Sequence, residues 1–129
     1  MQKPENLALR IAVAIGCLVP LGAGGAGMLL GPAMLGTPAD ALPDLDSHYR
    51  YLSGLLLAIG IGFVSTIPRI ETQGPRFRLL TFLVVVGGLG RLLSAGPLSF
   101  PMQAALVMEL LVTPALAIWQ YRAAVQSSR

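Results

Sequence analysis

Three charged side chains within or beside apolar stretches are the groups that could do chemistry: Arg50, Arg91 and Glu109. A carboxylate near the middle of an apolar run costs about 3 kcal/mol at the centre of a bilayer, so it is rarely present without a partner. Arginine suits that partnership because its planar guanidinium stays charged and can donate two hydrogen bonds to one carboxylate. The sequence therefore predicts an intramembrane polar cluster of these three residues.

Two interpretations of this cluster stay open. In the structural one, the ion pair fixes the register of the helices and selects one packing. In the functional one, a polar cavity open to the outer face binds an acidic solute, a lipid headgroup or a proton. Two arginines and one glutamate leave one positive charge over, which an acidic ligand or Asp46 could balance.

Composition places these residues in a membrane protein. Hydrophobic residues make up 54% of the 129 positions and charged residues only 12%, whereas about a quarter of the residues of soluble domains are charged. Such a chain has too little polar surface to cover a globule that faces water on all sides. The same hydrophobicity excludes a nucleic-acid module, and the length fits a single domain, residues 1–129.

Apolar runs separated by connectors predict an all-α, four-helix transmembrane bundle. At about 1.5 Å per residue, roughly twenty residues span the 30 Å or so of a hydrocarbon core. The predicted helices cover residues of about 11–30, 48–67, 77–95 and 101–121. Pro114 predicts a kink one turn after Glu109. A cleaved signal peptide is the alternative for the first run, because Lys3 and Arg10 precede it and small residues follow.

The basic residues predict the orientation of the bundle. They lie at the amino end, in the second connector and at the carboxyl end: Lys3, Arg10, Arg69, Arg76, Arg78, Arg122 and Arg129. The first connector holds three Asp and no Lys or Arg, and the third holds no charge. Because cytoplasmic loops carry the excess of Lys and Arg, we expect four crossings of a membrane with both termini in the cytoplasm.

Small residues recur on two of the predicted helices. Gly54, Ala58 and Gly62 form a ridge on the second helix, and Gly87 and Gly88 precede Arg91 by one turn on the third. Small residues let helix backbones approach closely in a bilayer. The ridge therefore predicts helix packing, within one bundle or across a homodimer.

The sequence holds no pattern typical of an enzyme. One cysteine and one histidine exclude an internal disulfide and a site built from several His or Cys ligands. No phosphate loop, dinucleotide fingerprint, zincin motif or Ser–His–Asp arrangement occurs. We therefore predict no catalytic residue, no metal and no cofactor.

Four segments carry a resemblance to a known family: DSHYRYLSGLLLAIG, IPRIE, GGLGRLLSAGPLS and MELLVTPALAIWQ. They are similar to segments of an uncharacterised bacterial membrane family, the domain of unknown function numbered forty-three forty-five. The matching positions are Arg50, Gly87, Gly88, Arg91 and Glu109. The resemblance implies a four-helix inner-membrane protein and no established activity.

Taken with the residues, this predicts a structural or accessory membrane protein, and the alternative is a small transporter or binding protein. The predicted partner is the lipid bilayer, and the protein could work alone, as a homo-oligomer or in a larger membrane complex.

Overall fold

The chain is all-α throughout the part that the structure, a computed structural model, describes, namely residues 4–38, 40 and 42–129. Its elements, in chain order, are helix α1 (Pro4–Leu30), a 3₁₀ turn (Gly31–Leu35), α2 (Pro43–Thr66), a second 3₁₀ turn (Ile67–Thr72), α3 (Gly74–Leu92), α4 (Phe100–Val107), a π-helical segment (Met108–Val112) and α5 (Thr113–Ser127). The predicted fold class is confirmed at this level. Lys3, part of the predicted basic amino end, lies outside the described residues.

Three stretches of the described chain are long and apolar enough to cross a membrane: Asn6–Leu35, Pro43–Thr72 and Phe100–Ser127. Large apolar side chains along them are exposed, among them Leu29 at 74% and Leu111 at 65%. A water-soluble monomer rarely exposes apolar surface on this scale, and lipid is the solvent that such a surface suits. Helix α3 is not among the three, because any 18 consecutive positions of its 19 include three arginines.

Two helix boundaries differ from the prediction in ways that matter for the charged residues. Helix α2 begins about one turn early, at Pro43, because proline suits the first turn and Asp44 and Asp46 there favour the helix dipole. Helix α3 ends at Leu92 rather than near residue 95. Arg91 consequently lies in the last turn of its helix, where a cation interacts favourably with the dipole.

The chain forms two compact units. That these units belong to one domain, residues 1–129, stays a prediction. In the first unit, Val13–Ser65, glycines of α1 let α2 come close. A β-carbon at Gly24 would stand 2.6 Å from the backbone nitrogen of Leu57. Since backbone cannot yield as a flexible side chain can, only glycine fits there.

The second unit consists of Met1–Ala12 and Thr66–Arg129. Its α5 packs against α3 and against the turn Ile67–Thr72. Buried side chains concentrate at this end of the unit, which we call the buried end: Leu9, Thr66, Ile70, Phe77, Leu80, Gln120 and Ala123. The unit therefore has a well-packed end, and its two polar members, Thr66 and Gln120, need partners there.

Candidate functional site

Arg91 and Glu109 form an ion pair within the second unit. Arg91 Nε donates to both carboxylate oxygens of Glu109, at 3.0 and 2.9 Å. The Arg91 side chain is 33% exposed and that of Glu109 is 15% exposed. The pair is thus partly sheltered from solvent. The π segment that contains Glu109 brings the carboxylate to the last turn of α3.

Glycine makes this approach of the two helices possible. A β-carbon at Gly88 would stand 2.9 Å from Glu109 Cβ and 2.9 Å from Leu110 Cδ2. Contacts that short are not tolerated between carbon atoms, so α3 reaches the π segment only because Gly88 has no side chain. Gly88 and Arg91 lie three residues apart on α3. The close packing and the ion pair therefore belong to the same contact between α3 and the π segment.

The two Nη groups of Arg91 are poorly satisfied. Arg91 Nη1 donates to the thioether sulfur of Met102 at 3.2 Å, and sulfur is a weak acceptor. Among the described residues, no oxygen accepts a hydrogen bond from either Nη group of Arg91. A guanidinium carries five N–H donors, so this one keeps donor capacity for water or for a ligand.

The backbone widens where Glu109 sits. The Thr113 N–H donates to the carbonyl of Met108, five residues back, and Thr113 Oγ1 donates to the same oxygen at 2.7 Å. Pro114 explains the widening, because its ring has no N–H and would collide with the carbonyl of Leu110 in a regular helix. Such π segments often occur at functional sites. The predicted kink therefore takes the form of a π turn that contains Glu109.

Arg50 is satisfied in a different way, within the first unit. Its Nε donates to Asp46 Oδ2 at 2.9 Å, and its Nη1 donates to the carbonyls of Met28 and Leu29 at 3.0 and 2.8 Å. Those carbonyls belong to the last turn of α1, which lacks intrahelical donors. Arg50 thus caps α1 from α2, where a positive charge also complements the helix dipole.

Gly31 completes the Arg50 site. Its φ is +63°, a left-handed conformation that glycine adopts without strain. A β-carbon there would stand 2.5 Å from Asp46 Oδ1 and 2.9 Å from Arg50 Nη2. The chain can therefore turn out of α1 directly beneath the guanidinium only with glycine at this position.

The structure thus pairs Arg91 with Glu109 and gives Arg50 partners of its own, and a shared cluster of all three stays a prediction. The other predicted packing residues also differ among themselves. A β-carbon at Gly54 would stand 3.4 Å from Met28 Sδ, an ordinary contact, whereas one at Gly87 would meet no described atom within 4 Å. Ala58 is exposed and Gly62 is half-buried, and packing roles for them stay predictions.

Sequence reasoning missed the polar contacts of the buried end. Arg10 Nη2 donates to Glu71 Oε2 at 3.2 Å, and Gln120 Nε2 donates to the Ile70 carbonyl at 2.8 Å. Gln120 is fully buried. A polar side chain next to the last apolar run was the available signal, because a glutamine buried there must find a hydrogen-bond partner.

Metal ligation has no support within the described residues, which contain no group of three His, Cys, Asp or Glu side chains able to hold an ion. Cys17 is buried and not disulfide-bonded.

The chain belongs to the family described as Domain of unknown function (DUF4345), whose profile matches residues 8–120. This confirms the family resemblance, and the matched span includes Arg50, Arg91 and Glu109. Comparison with curated proteins and with solved structures gives no match. Membership of this family does not identify an activity. The contacts of Arg50, Arg91 and Glu109 described above are the basis for a function.

Proposed function

We propose that the protein is a structural or accessory protein of the bacterial inner membrane, with four crossings and both termini in the cytoplasm. In this proposal the Arg91–Glu109 ion pair fixes α3 against the π segment and so defines the register of the helices. The protein needs no catalytic activity of its own for this role. It could act alone, as a homo-oligomer or as a small subunit of a larger membrane complex.

Helix α3 would supply the crossing that brings the number to four. Its 19 residues rise about 28 Å, close to the thickness of a hydrocarbon core. Arg76 and Arg78 lie near its beginning and Arg91 in its last turn, so all three can extend toward an interface. An even number of crossings puts the basic amino end, the turn Ile67–Thr72 and the carboxyl end on one side, as the positive-inside rule requires.

The observation that carries the structural role is the coincidence of the ion pair with the Gly88 contact. A pair meant only to hold a ligand would not require the side chains of Glu109 and Leu110 to pack directly against Gly88. Removing one partner of a sheltered pair leaves an unpaired charge, which costs 3–5 kcal/mol when fully buried. Because Arg91 is one-third exposed, we expect about 2 kcal/mol here.

A double-mutant cycle tests this role: Glu109→Gln, Arg91→Gln and both together, with thermal unfolding followed in detergent. We expect each single variant to lose about 2 kcal/mol and the double variant to lose no more than the worse single one. Arg129→Gln, at the exposed carboxyl end, is the control for loss of one positive charge. Strictly additive losses, or wild-type stability in all variants, would contradict the structural role.

One observation favours the second candidate, a small transporter or binding protein for an acidic solute, a lipid headgroup or a proton. Among the described residues, Arg91 Nη1 has only a thioether as hydrogen-bond acceptor and Nη2 has none, and the π segment places Glu109 beside them. The cycle separates the two candidates. Normal abundance and stability of Glu109→Gln, together with a lost response to a solute or to pH, would favour binding or transport.

A further inference from the structure

The first turn of α3 contains arginine and no carboxylate, and the nearby Glu71 is paired with Arg10. Gln73 precedes the helix without a side-chain capping bond, and no acidic residue lies in the first turn. Backbone N–H groups of a first turn lack intrahelical acceptors, and Gly74 carries the first of them. The positive end of the helix dipole is consequently not offset by a negative charge from its own turn.

An arginine lies over this end of the helix in place of an acid. A β-carbon at Gly74 would stand 3.2 Å from Arg78 Nη1. A guanidinium above a helix amino terminus is electrostatically unfavourable, because both are positive. An anion between them would reverse the sign of that interaction, since it would accept hydrogen bonds from both.

A buried acceptor borders the same position. Gln120 is fully buried, and its Nε2 is held by the Ile70 carbonyl. Its Oε1 is buried and has no hydrogen-bond partner among the described residues. A β-carbon at Gly74 would stand 3.8 Å from that oxygen. The site therefore places two hydrogen-bond donors, Arg78 and the Gly74 N–H, beside one acceptor, Gln120 Oε1. That acceptor receives no hydrogen bond from a described residue.

We propose that the amino end of α3 binds a phosphate diester whose head carries a hydrogen-bond donor. The phosphate would accept hydrogen bonds from the Gly74 N–H and from Arg78, whose movable end would swing aside from Gly74 to admit it, and the hydroxyl or ammonium of the head would donate to Gln120 Oε1. Phosphatidylethanolamine and phosphatidylglycerol have this chemistry. Phosphatidylcholine does not, because its trimethylammonium has no N–H. The site uses neither Arg91 nor Glu109, so it stands or falls separately from the proposed function.

The test measures headgroup binding to the full chain in a non-ionic detergent by native mass spectrometry. The three phospholipids are compared with identical acyl chains, and glycerophosphoethanolamine and inorganic phosphate are added as soluble probes. We expect phosphatidylethanolamine and phosphatidylglycerol to bind about tenfold more tightly than phosphatidylcholine. If glycerophosphoethanolamine binds as tightly as the lipids, the proposed recognition of a donor-bearing phosphate diester is supported. The ligand is then a soluble diester rather than a lipid headgroup.

Two variants assign the binding to these residues. Arg78→Gln should weaken binding of both donor-bearing lipids about tenfold, whereas the matched loss of charge in Arg129→Gln should leave it unchanged. Gly74→Ala should also weaken it, because the added methyl occupies the site while meeting only the movable end of Arg78 closely. Equal binding of all three lipids, equal effects of the two arginine variants, or no binding at all would overturn the proposal.

Discussion

Arg50 and Arg91 are the same residue type in two apolar settings, and the structure treats them differently. Arg50 donates to one carboxylate oxygen and two backbone carbonyls. Arg91 donates to one carboxylate and to a thioether. The difference comes from what each can reach, because Arg50 meets the open carbonyl end of α1 and Arg91 meets the side of a neighbouring helix. A guanidinium that caps a helix end uses its N–H donors on backbone carbonyls, whereas one that meets only side chains keeps donors for other partners.

The largest effect should come from Gly31→Ala, which breaks the Arg50 site. The new β-carbon would collide with Asp46 Oδ1 and also force a left-handed conformation. We expect a loss of about 3 kcal/mol of unfolding free energy, measured by thermal denaturation in detergent. Gly36→Ala is the matched control, because Gly36 has φ +82° and a β-carbon there meets no described atom within 4 Å. It should lose only about 1 kcal/mol, and an equal loss in both variants would mean that Arg50 is not clamped by this turn.

A smaller effect is expected from Gly88→Ala on the Arg91 side. Its methyl would push α3 away from Glu109 and Leu110, and crowding of this kind costs about 2 kcal/mol. Gly87→Ala, where a β-carbon has open space, should be neutral or stabilising by up to about 1 kcal/mol. Unfolding in detergent gives both values. Equal behaviour of the two neighbours would contradict the close contact of α3 with the π segment.

The sharpest contrast, and at Arg91 the smallest loss, is expected from exchanging each arginine for lysine. Arg91 meets both oxygens of Glu109 through a single nitrogen, which an ammonium can imitate, so Arg91→Lys should cost less than about 1 kcal/mol. Arg50 uses two nitrogens for three oxygens, so Arg50→Lys should cost about 2 kcal/mol. Paired unfolding measurements check the ratio. A greater loss for Arg91→Lys would reverse the comparison on which the two roles rest.

The Arg91–Glu109 contact was predictable because the cost of a charge in an apolar run is visible in the sequence, and opposite charges in such runs favour each other. The two carbonyl acceptors of Arg50 were not, since a backbone carbonyl at a helix end leaves no mark in residue type, whereas its third acceptor, Asp46, was among the sequence-based candidates. The same holds for the π turn, where Pro114 signalled a disturbance but not its form. The end of α3 at Leu92 also escaped prediction, because residues 93–95 are as suitable for a helix as those before them.

The buried end has a consequence for synthesis of the protein in the cell. It joins Leu9, Ile70 and Gln120, all fully buried, which leave the ribosome in that order with about fifty or more residues between each and the next. Its packing cannot be completed until α5 has been synthesised, whatever the order in which the earlier helices form. A nascent chain that stops before Gln120 would keep this end open, and the cell's quality-control proteases could distinguish it from a chain that contains α5.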